Sequence, residues 1–394
     1  AYDYNILHET FNYGIGTQYM INKGNYITAD CYADHFSSSY CFFKDNKTYN
    51  GKAGEEQVRK RTRNHNLSIK GIFKLGNRHK LSVGTEYIVD VLKSQTDNIA
   101  KEDAYTLALF AQDEIKLLRN LQALIGVRYI YHENFKNHAT PNVALMYKPG
   151  KFNFRASYAA GFRTPTLSEL YATDIAKKND RLTIGNLDLK SEKNNYFSLS
   201  AEYVHERFSV SVNAFYNNIR DMIDYNTIAT GDKAMEQYGH KEVRQRDNIA
   251  EAKVHGINVS ANAYLGAGFN LSGGYTHLNT QDVELEQPID KSIKNAYNIN
   301  AQWAHSWKIY RLNINLNGRI NSKRFSKSYG YAPEYQLWNL NTRHSFNLKS
   351  VIIEPGCGME NLFDYMDDRP YNSNYATLTP GRSFYISLSL KFKS

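Results

Sequence analysis

Proline, cysteine and long apolar runs are scarce in this chain of 394 residues, which has 8 prolines and 3 cysteines. Because no stretch of about 18 or more consecutive apolar residues occurs, a membrane protein that crosses with helices is excluded. The odd number of cysteines excludes a complete disulfide framework, although a bridge between Cys31 and Cys41 stays open. No C-x-x-C pair is present, so no structural zinc site is expected. The mean hydropathy of −0.59 is compatible with membrane crossing by strands, since such strands are only half apolar.

Apolar and polar residues alternate strictly at the C-terminal end, in the sequence GRSFYISLSLKFKS. Leu388 and Leu390 fall on one face of the predicted strand, whereas Ser387 and Lys391 fall on the other. One face of this strand is therefore expected to meet an apolar medium and the other a polar one.

The same alternation recurs along the chain, and in LNINLNGRI it separates Leu312, Ile314 and Leu316 from Asn313 and Asn315. In the dry core of a soluble sandwich these asparagines would lack hydrogen-bond partners. We therefore expect lipid on the apolar face and a wet lumen on the polar face. The predicted fold is all-β, a transmembrane antiparallel β-barrel.

The predicted connections alternate between short and long. Short turns are expected at residues 22–25, 75–79, 148–151, 204–207 and 265–268. Long loops are expected at about residues 37–62, 161–194, 229–248, 281–292 and 362–381. Short turns on one side and long loops on the other are typical of bacterial outer-membrane barrels. Pairing the segments predicts roughly 17 strands, and no segment with helical periodicity stands out.

Three pairs of stretches resemble those of a known family in order and spacing. They are GFRTPTLSELY (161–171) with GNLDLKSEK (185–193), FYNNIRDMIDY (215–225) with NIAEAKVHGINVS (248–260), and MENLFDYMDDRPY (359–371) with PGRSFYISLSLKF (380–392). Together they resemble the C-terminal barrel of TonB-dependent outer-membrane receptors, over most of residues 150–394. In the last pair, Asn361 and Asp364 are expected to end a strand by bonding to their own backbone. The family's two prolines are absent from residues 186–192, and the last aromatic residue is not the final residue.

The resemblance implies a 22-stranded barrel in the outer membrane, a plug domain that fills it from the N-terminal side, and a TonB box. No signal peptide opens the chain, and bacterial barrels have even numbers of strands. Residues 1–394 are therefore expected to be a partial receptor barrel without the plug and without about five N-terminal strands. TonB is an expected partner through that missing part, and a surface lipoprotein is a further one.

The net charge of +9 is spread over turns and loops, so nucleic acid is not an expected partner. The exception is one dense basic run, VRKRTR at residues 58–63. This run is either a solvated loop end or a clamp for phosphates of lipopolysaccharide. The clamp would consist of Arg59, Lys60, Arg61 and Arg63.

The family resemblance implies energised import of a solute too scarce or too large for a passive pore, such as haem, a ferric siderophore or cobalamin. Haem or another iron complex is preferred, because tyrosine-rich loops can stack on a flat macrocycle. The loop at residues 229–248 offers Met235, Tyr238 and His240 as ligands to a haem iron. Tyr275 and His277, near the next loop, are further candidates.

A ferric siderophore would instead favour the cations Lys241, Arg244 and Arg246 in the same loop. Arg163, in the FRTP stretch, is another candidate ligand contact. The competing interpretation is that the FRTP and NLDL stretches hold the barrel together and contact no ligand.

Other function classes are weaker. No paired acid and base and no Ser–His spacing is visible, so we expect neither an enzyme nor a cofactor other than the transported iron complex. A cobalamin receptor, a passive porin, an adhesin or binding module and a glycan-importing receptor stay as alternatives.

Overall fold

The computed structural model describes residues 3–176, 180–326, 330–367 and 379–393. In these ranges the chain is all-β apart from two helices, α1 (Leu167–Tyr171) and α2 (Gly231–Tyr238). Neither helix is long and apolar enough to cross a membrane. The strands are β1 (Tyr4–Asn22), β2 (Asn25–Phe42), β3 (Glu56–Leu75), β4 (His79–Ser94), β5 (Ile99–Leu118), β6 (Leu121–His132), β7 (Lys136–Tyr147), β8 (Phe152–Arg163), β9 (Thr173–Ala176), β10 (Arg181–Ile184), β11 (Glu192–Val204), β12 (Phe208–Thr230), β13 (Glu242–Gly266), β14 (Phe269–Asp282), β15 (Asn295–Trp307), β16 (Tyr310–Asn321), β17 (Arg324–Ser326), β18 (Gly330–Ala332), β19 (Tyr335–Asn347), β20 (Val351–Glu360) and β21 (Ser383–Phe392).

Seventeen of the described strands have ten residues or more, which confirms the prediction of roughly 17 strands. The four shorter strands, β9, β10, β17 and β18, lie within connections. Nineteen of the described strands belong to one large, mostly antiparallel sheet, in which β10 and β13 form a parallel pair. Strands β17 and β18 form a separate hairpin.

The short turns lie where the sequence predicts them. They are residues 23–24, 76–78, 148–151, 205–207 and 267–268. In the last of these turns Gly268 has φ of 86°, a left-handed conformation that glycine adopts without strain. A Cβ atom at this position would lie only 1.9 Å from the carbonyl oxygen of Ala304, so the turn requires glycine.

The long connections also lie where predicted, but the strands on either side of the first three run further than expected. Strand β2 continues to Phe42 and β3 begins at Glu56, so the first long connection is residues 43–55 instead of 37–62. The basic run at residues 58–63 therefore lies inside β3 and not at a loop end. Residues 368–378, which belong to the predicted loop at 362–381 and include the end of the third family stretch, lie outside the described residues.

All three cysteines are free thiols, so the Cys31–Cys41 bridge that the sequence left open is not formed. Cys41 was expected in a loop but lies in β2, the same strand as Cys31. Ten residues of extended strand separate Cα atoms by about 33 Å, far beyond the reach of a disulfide.

The chain divides into two compact units. Unit 1 comprises Ala1–Leu145, Tyr158–Tyr196 and Ile219–Glu251, and unit 2 comprises Met146–Ser157, Phe197–Asn218 and Ala252–Ser394. In unit 1, strands β1 to β6 pair antiparallel with their neighbours in chain order. In unit 2, β14, β15, β16, β19, β20 and β21 pair in the same way.

Strands of unit 2 have one polar and one apolar face. The polar face is a groove lined by side chains that include Ser260, Asn298, Asn300, Asn317 and Asn339. Asn300 and Asn317 are joined there by a hydrogen bond between neighbouring strands. The apolar face is lined by Leu271, Trp303, Ile314, Leu316 and Leu340. The two-residue alternation predicted for β16 is therefore confirmed.

Three small hydrophobic clusters in unit 1 hold the long connections against the strands. Helix α1 contributes Leu167 to the first cluster and Leu170 to the second. Helix α2 contributes Ala234, which is fully buried, to the third. Burying one such leucine side chain stabilises a fold by about 1.5–3 kcal/mol, so these helices position the loops that they belong to.

The end of β20 is fixed by the asparagine that the sequence singled out. Asn361 has φ of 51° and is only 4% exposed. Its side-chain amide donates to the carbonyl oxygens of Tyr365 (2.7 Å) and Pro380 (3.0 Å), and its Oδ1 accepts from the backbone N–H of Tyr365 (2.8 Å). Asp364 accepts from the N–H of Arg382 at 2.7 Å. Asn361 thus bonds to the backbone of its own turn, as predicted, whereas Asp364 bonds to the backbone at the start of the last strand, 18 residues further on.

Asn361→Ala should lower the free energy of unfolding by about 2 kcal/mol, because it leaves partly buried backbone groups of Tyr365 and Pro380 without their partner and puts alanine at a positive φ. Asn361→Gly should cost about half as much, because glycine tolerates the backbone but still loses the side-chain bonds. Urea unfolding of the purified, folded protein measures both. Equal stability of all three proteins would contradict this role for the side chain.

Candidate functional site

A cation lies among aromatic rings in unit 1. The guanidinium carbon of Arg59 lies 5.2 Å from the ring centroid of Tyr40 and 5.4 Å from that of Tyr49. Tyr40 stacks on Tyr4 at 4.4 Å and meets the ring of Tyr49 edge-on at 5.0 Å. Arg59 also donates from Nη1 to Oε1 of Gln95 at 3.2 Å. Its Nε is buried and has no hydrogen-bond partner among the described residues. We call Arg59, Tyr4, Tyr40 and Tyr49 the tyrosine–arginine cluster; such a group can bind a planar anion.

A β-bulge gives Arg59 this position. Lys60 pairs with Ser38 and Val58 pairs with Ser39, so Arg59 is an extra residue on β3. A bulge re-aims a side chain, and here it turns the arginine onto the tyrosine rings.

The four basic residues predicted to form one phosphate clamp therefore do not lie together on one face of β3. Arg59 belongs to the tyrosine–arginine cluster, and Nζ of Lys60 lies 3.6 Å from a carboxylate oxygen of Asp97. Arg61 and Arg63 are exposed and alternate with half-buried neighbours on β3. Successive strand residues point to opposite faces, so Arg61 and Arg63 lie on the face opposite Lys60.

A second contact between a cation and an aromatic ring joins β12 and β13 in unit 1. The guanidinium carbon of Arg246 lies 3.6 Å from the ring centroid of Tyr225, and Nη2 donates to the tyrosine hydroxyl at 2.6 Å. Nε of Arg244 is paired with Glu242 at 2.5 Å. Arg246, one of the cations predicted to bind an anionic siderophore, thus packs on the face of a tyrosine ring.

The haem-ligand candidates Met235, Tyr238 and His240 lie on α2 and directly after it. Met235 is exposed, whereas Tyr238 packs against the third hydrophobic cluster. Nδ1 of His240 lies 2.9 Å from Oδ1 of Asp180, and this hydrogen bond lowers the pKa of the Asp180 carboxyl. The fold thus brings the three residues to one loop of unit 1; their role as haem ligands stays a prediction.

Tyr275 and His277 lie on β14, in unit 2. The Tyr275 hydroxyl donates to Oδ1 of Asn295 at 2.9 Å, and Nδ1 of His277 lies 2.8 Å from the same oxygen. Tyr275 also stacks on Tyr297 at 4.8 Å. The two candidates therefore share one hydrogen-bond network, and a ligand role for them stays a prediction.

Arg163, at the end of β8, is held by two carboxylates. Nη1 donates to Glu169 at 2.8 Å and Nε donates to Glu192 at 2.9 Å. Glu169 also accepts from the backbone N–H of Thr166 at 2.8 Å in the capping box of α1. Burial alone would raise the pKa of Glu169, but the bonds from Arg163 and Thr166 outweigh burial and lower it. This geometry favours the interpretation that Arg163 fastens the long connection after β8; a ligand contact by Arg163 stays a prediction.

The first two pairs of family stretches are joined by one asparagine. Oδ1 of Asn248 accepts from the backbone N–H of Lys190 at 2.7 Å. Its Nδ2 donates to the carbonyl oxygens of Lys190 (2.9 Å) and Asp221 (2.6 Å). These stretches are therefore held together within unit 1 by the hydrogen bonds of Asn248.

No three His, Cys, Asp or Glu side chains within the described ranges come close enough together to hold a metal ion. Sequence reasoning did not find the tyrosine–arginine cluster. Its members are far apart in the chain, at positions 4, 40, 49 and 59, and the available signal was the abundance of tyrosine, with 31 residues.

Comparison with known proteins places these observations in a family. A family model described as TonB dependent receptor-like, beta-barrel matches residues 1–362. Among curated proteins, a ferric enterobactin receptor of Pseudomonas aeruginosa is 23% identical over 372 residues, covering 81% of this chain and 49% of that protein. The chain thus spans about half the length of this relative.

Solved structures agree on the fold. A mutant ferric enterobactin receptor of Pseudomonas aeruginosa has a TM-score of 0.79 at 18% identity, covering 98% of this chain and 62% of that one. The siderophore receptor PirA of Acinetobacter baumannii has a TM-score of 0.76 at 16% identity, with the same coverage of 98% and 62%. These relatives are named as receptors, and none of the three is named as an enzyme.

Proposed function

We propose that this chain, which belongs to the TonB-dependent receptor-like β-barrel family and is an outer-membrane protein, is the barrel of a receptor that imports a ferric siderophore. Import would be driven by TonB through an N-terminal part that includes a plug domain. The observation that carries the proposal is that the relatives reported above are named ferric enterobactin and siderophore receptors. The family explains why the strand faces are divided between lipid and a wet lumen.

The chemistry of unit 1 supports an aromatic, anionic cargo. A ferric catecholate presents aromatic rings and a net negative charge. Arg59 among Tyr4, Tyr40 and Tyr49 offers a guanidinium and ring faces together, and Arg246 on Tyr225 repeats the combination. Stacking and charge attraction act on the same ligand at such sites, and arginine is suited to both.

The sequence left haem and a siderophore open, and the relatives favour the siderophore. One ring nitrogen of His240 is already bonded to Asp180. Haem ligation by His240 therefore stays a sequence prediction with its own test. If His240 ligates haem, His240→Ala abolishes the haem absorption change of the full-length receptor, and a siderophore titration is unaffected.

The substrate class is tested by binding to the purified full-length receptor. Tryptophan fluorescence quenching measures the Kd for a ferric catecholate, a ferric hydroxamate, haem and cobalamin. Arg59→Ala and Arg246→Ala should each weaken ferric catecholate binding by about tenfold, because a desolvated cation–aromatic contact contributes roughly 1–2 kcal/mol. Arg78→Ala, an exposed arginine in the short turn after β3, is the matched control.

The pattern of binding separates the alternatives. Tight binding of haem or cobalamin, with no binding of either ferric chelate, would contradict the siderophore assignment but would leave the assignment as a receptor intact. Absence of saturable binding to all four ligands would favour a porin or an adhesin. Unchanged catecholate affinity in both arginine variants would remove these residues from the site.

A further inference from the structure

We propose that Arg61, Arg63 and Lys93 form an outward-facing clamp for the phosphate groups of lipopolysaccharide in the outer leaflet. The clamp lies in unit 1, on β3 and β4, and lipid binding there is independent of which cargo is imported.

The strand register places the three cations side by side. Arg61 pairs directly with Lys93 across β3 and β4, and Arg63, two residues further along β3, pairs with Val91. Residues that pair in an antiparallel sheet point to the same face, and so do residues two apart in one strand. All three cations are exposed.

The same face of β3 becomes apolar below the cations. Leu67, Ile69 and Leu75 are 49%, 44% and 53% exposed, with Gly71 and Phe73 between them in the alternation. The stretch from Leu67 to Leu75 is nine residues long, and a strand needs about 9–11 residues to cross the hydrocarbon core. Arg63 and Arg61 therefore lie just beyond the lipid-facing band, on the side of the long connection at 43–55.

Aromatic rings mark the boundary of that band. Tyr87 of β4 pairs with Leu67, and its ring lies 6.0 Å from that of Tyr105, which lies 6.1 Å from that of Tyr131. Rows of tyrosines are characteristic of the headgroup level in outer-membrane barrels. The cations thus lie at or just above the level at which lipid phosphates are found.

Nothing within the described part of the chain neutralises these charges. No hydrogen bond or ion pair is formed by the side chains of Arg61, Arg63 or Lys93 with other described residues. Two carboxylates lie on the same face, two strands away from the arginines: Glu9 accepts from Ser37, and Asp103 is paired with Lys101. Like charges directly opposite each other on two strands are destabilising, so a bound anion would offset the repulsion.

An imidazole lies next to Arg63 on the neighbouring strand. His35 of β2 pairs directly with Arg63, and its Nε2 is buried without a hydrogen-bond partner among the described residues. Its ring meets those of Tyr13 and His65 at 5.9 and 5.4 Å. This nitrogen therefore lies beneath neighbouring rings beside Arg63, and it is not counted as part of the clamp.

A lipid fits this position better than a soluble anion. The cations form a flat surface that continues into the apolar band, and acyl chains anchored beside that band would hold a phosphate at the height of the arginines. Lipopolysaccharide carries phosphates on a lipid anchor, so both parts of the surface would be covered by one molecule.

The test uses the purified full-length receptor in detergent and native mass spectrometry. The probes are lipid A with both phosphates and the same lipid A after removal of its phosphates. The wild-type protein should bind the phosphorylated form and retain little of the other. Arg61→Gln/Arg63→Gln should bind phosphorylated lipid A about thirtyfold more weakly, because each cation near an anionic lipid surface contributes about 1 kcal/mol.

Two further variants act as controls. Arg61→Lys/Arg63→Lys keeps the charge and should retain most of the binding. Lys116→Gln/Arg119→Gln removes two exposed cations at the C-terminal end of β5 and directly after it, and this variant should bind as the wild type does. Equal binding of both lipid A forms by the wild-type protein would overturn the proposal without reference to any variant. Full displacement of lipid A by equimolar inorganic phosphate would overturn the assignment to a lipid.

Discussion

Leu316→Arg should reduce the stability of the membrane-inserted barrel by about 2–4 kcal/mol, the cost of an arginine on the lipid face near the bilayer midplane. Leu316 lies in the middle of β16, and its direct partners on the neighbouring strands are Ala301 and Leu340. Ile314 and Trp303 line the same apolar face. An arginine at this position would have no water and no carboxylate partner within that apolar lining.

Asn317→Arg is the matched control for this substitution. Asn317 follows Leu316 in the chain, but it lines the polar groove with Asn300 and Arg319. An arginine there should meet water and change stability little. The measurement is the fraction of protein in isolated outer membranes that keeps its folded, heat-modifiable mobility on gels, together with a urea unfolding curve. Loss of assembly in Asn317→Arg with normal assembly of Leu316→Arg would mean that the two faces are reversed.

Arg163→Ala should release the connection between β8 and β11, at a local cost of about 3 kcal/mol. The side chains of Glu169 and Glu192 are 13% and 14% exposed, so removing the guanidinium leaves two largely buried carboxylates unpaired. Arg163 itself is 42% exposed, and this solvent screening places the expected cost at the lower end of the range for buried pairs. Glu192 also accepts from the backbone N–H of Ile223 at 2.9 Å, so the disturbance should reach β12.

Hydrogen–deuterium exchange measures this release directly. Peptides from residues 164–191 should exchange faster in Arg163→Ala, whereas peptides from β16 should not change. Arg163→Lys should give an intermediate result, since lysine keeps the charge but cannot bridge both carboxylates in the same planar geometry. Arg155→Ala, on the same strand, removes a guanidinium that contacts the sulfur of Met146, and it should leave the loop protected. Unaltered exchange in Arg163→Ala would contradict its role as a fastener.

The parts of the fold that were predictable from sequence are those that depend on a two-residue period and on turn chemistry. Leu316 and Asn317 differ in face because they are adjacent in a strand, which needs no knowledge of the rest of the chain. The short turn at Gly268 was predictable for a similar reason, because its conformation depends on a glycine in the turn itself. Asn361 was predictable because asparagine bonds to its own neighbourhood.

The contacts that were not predictable join residues far apart in the sequence. Arg59 lies on Tyr40 because of a bulge in β3, and a bulge of one residue leaves no clear mark on the alternation. The bond between His240 and Asp180 spans 60 positions. One interpretation of the basic run, a solvated loop end, rested on its charge density alone, whereas β3 begins at Glu56 and contains the whole run. The basic residues can be assigned to two opposite faces only once the run is known to lie within β3.

Import of a ferric siderophore is tested most directly by the uptake of radiolabelled ferric enterobactin into cells of the source bacterium. Wild-type cells should accumulate the label, and cells without this gene should not. A plasmid copy of the full-length gene should restore uptake, and a protonophore or loss of TonB should abolish it. Uptake that persists in the deletion strain, or that continues in de-energised cells carrying only this receptor, would contradict TonB-driven siderophore import by this protein.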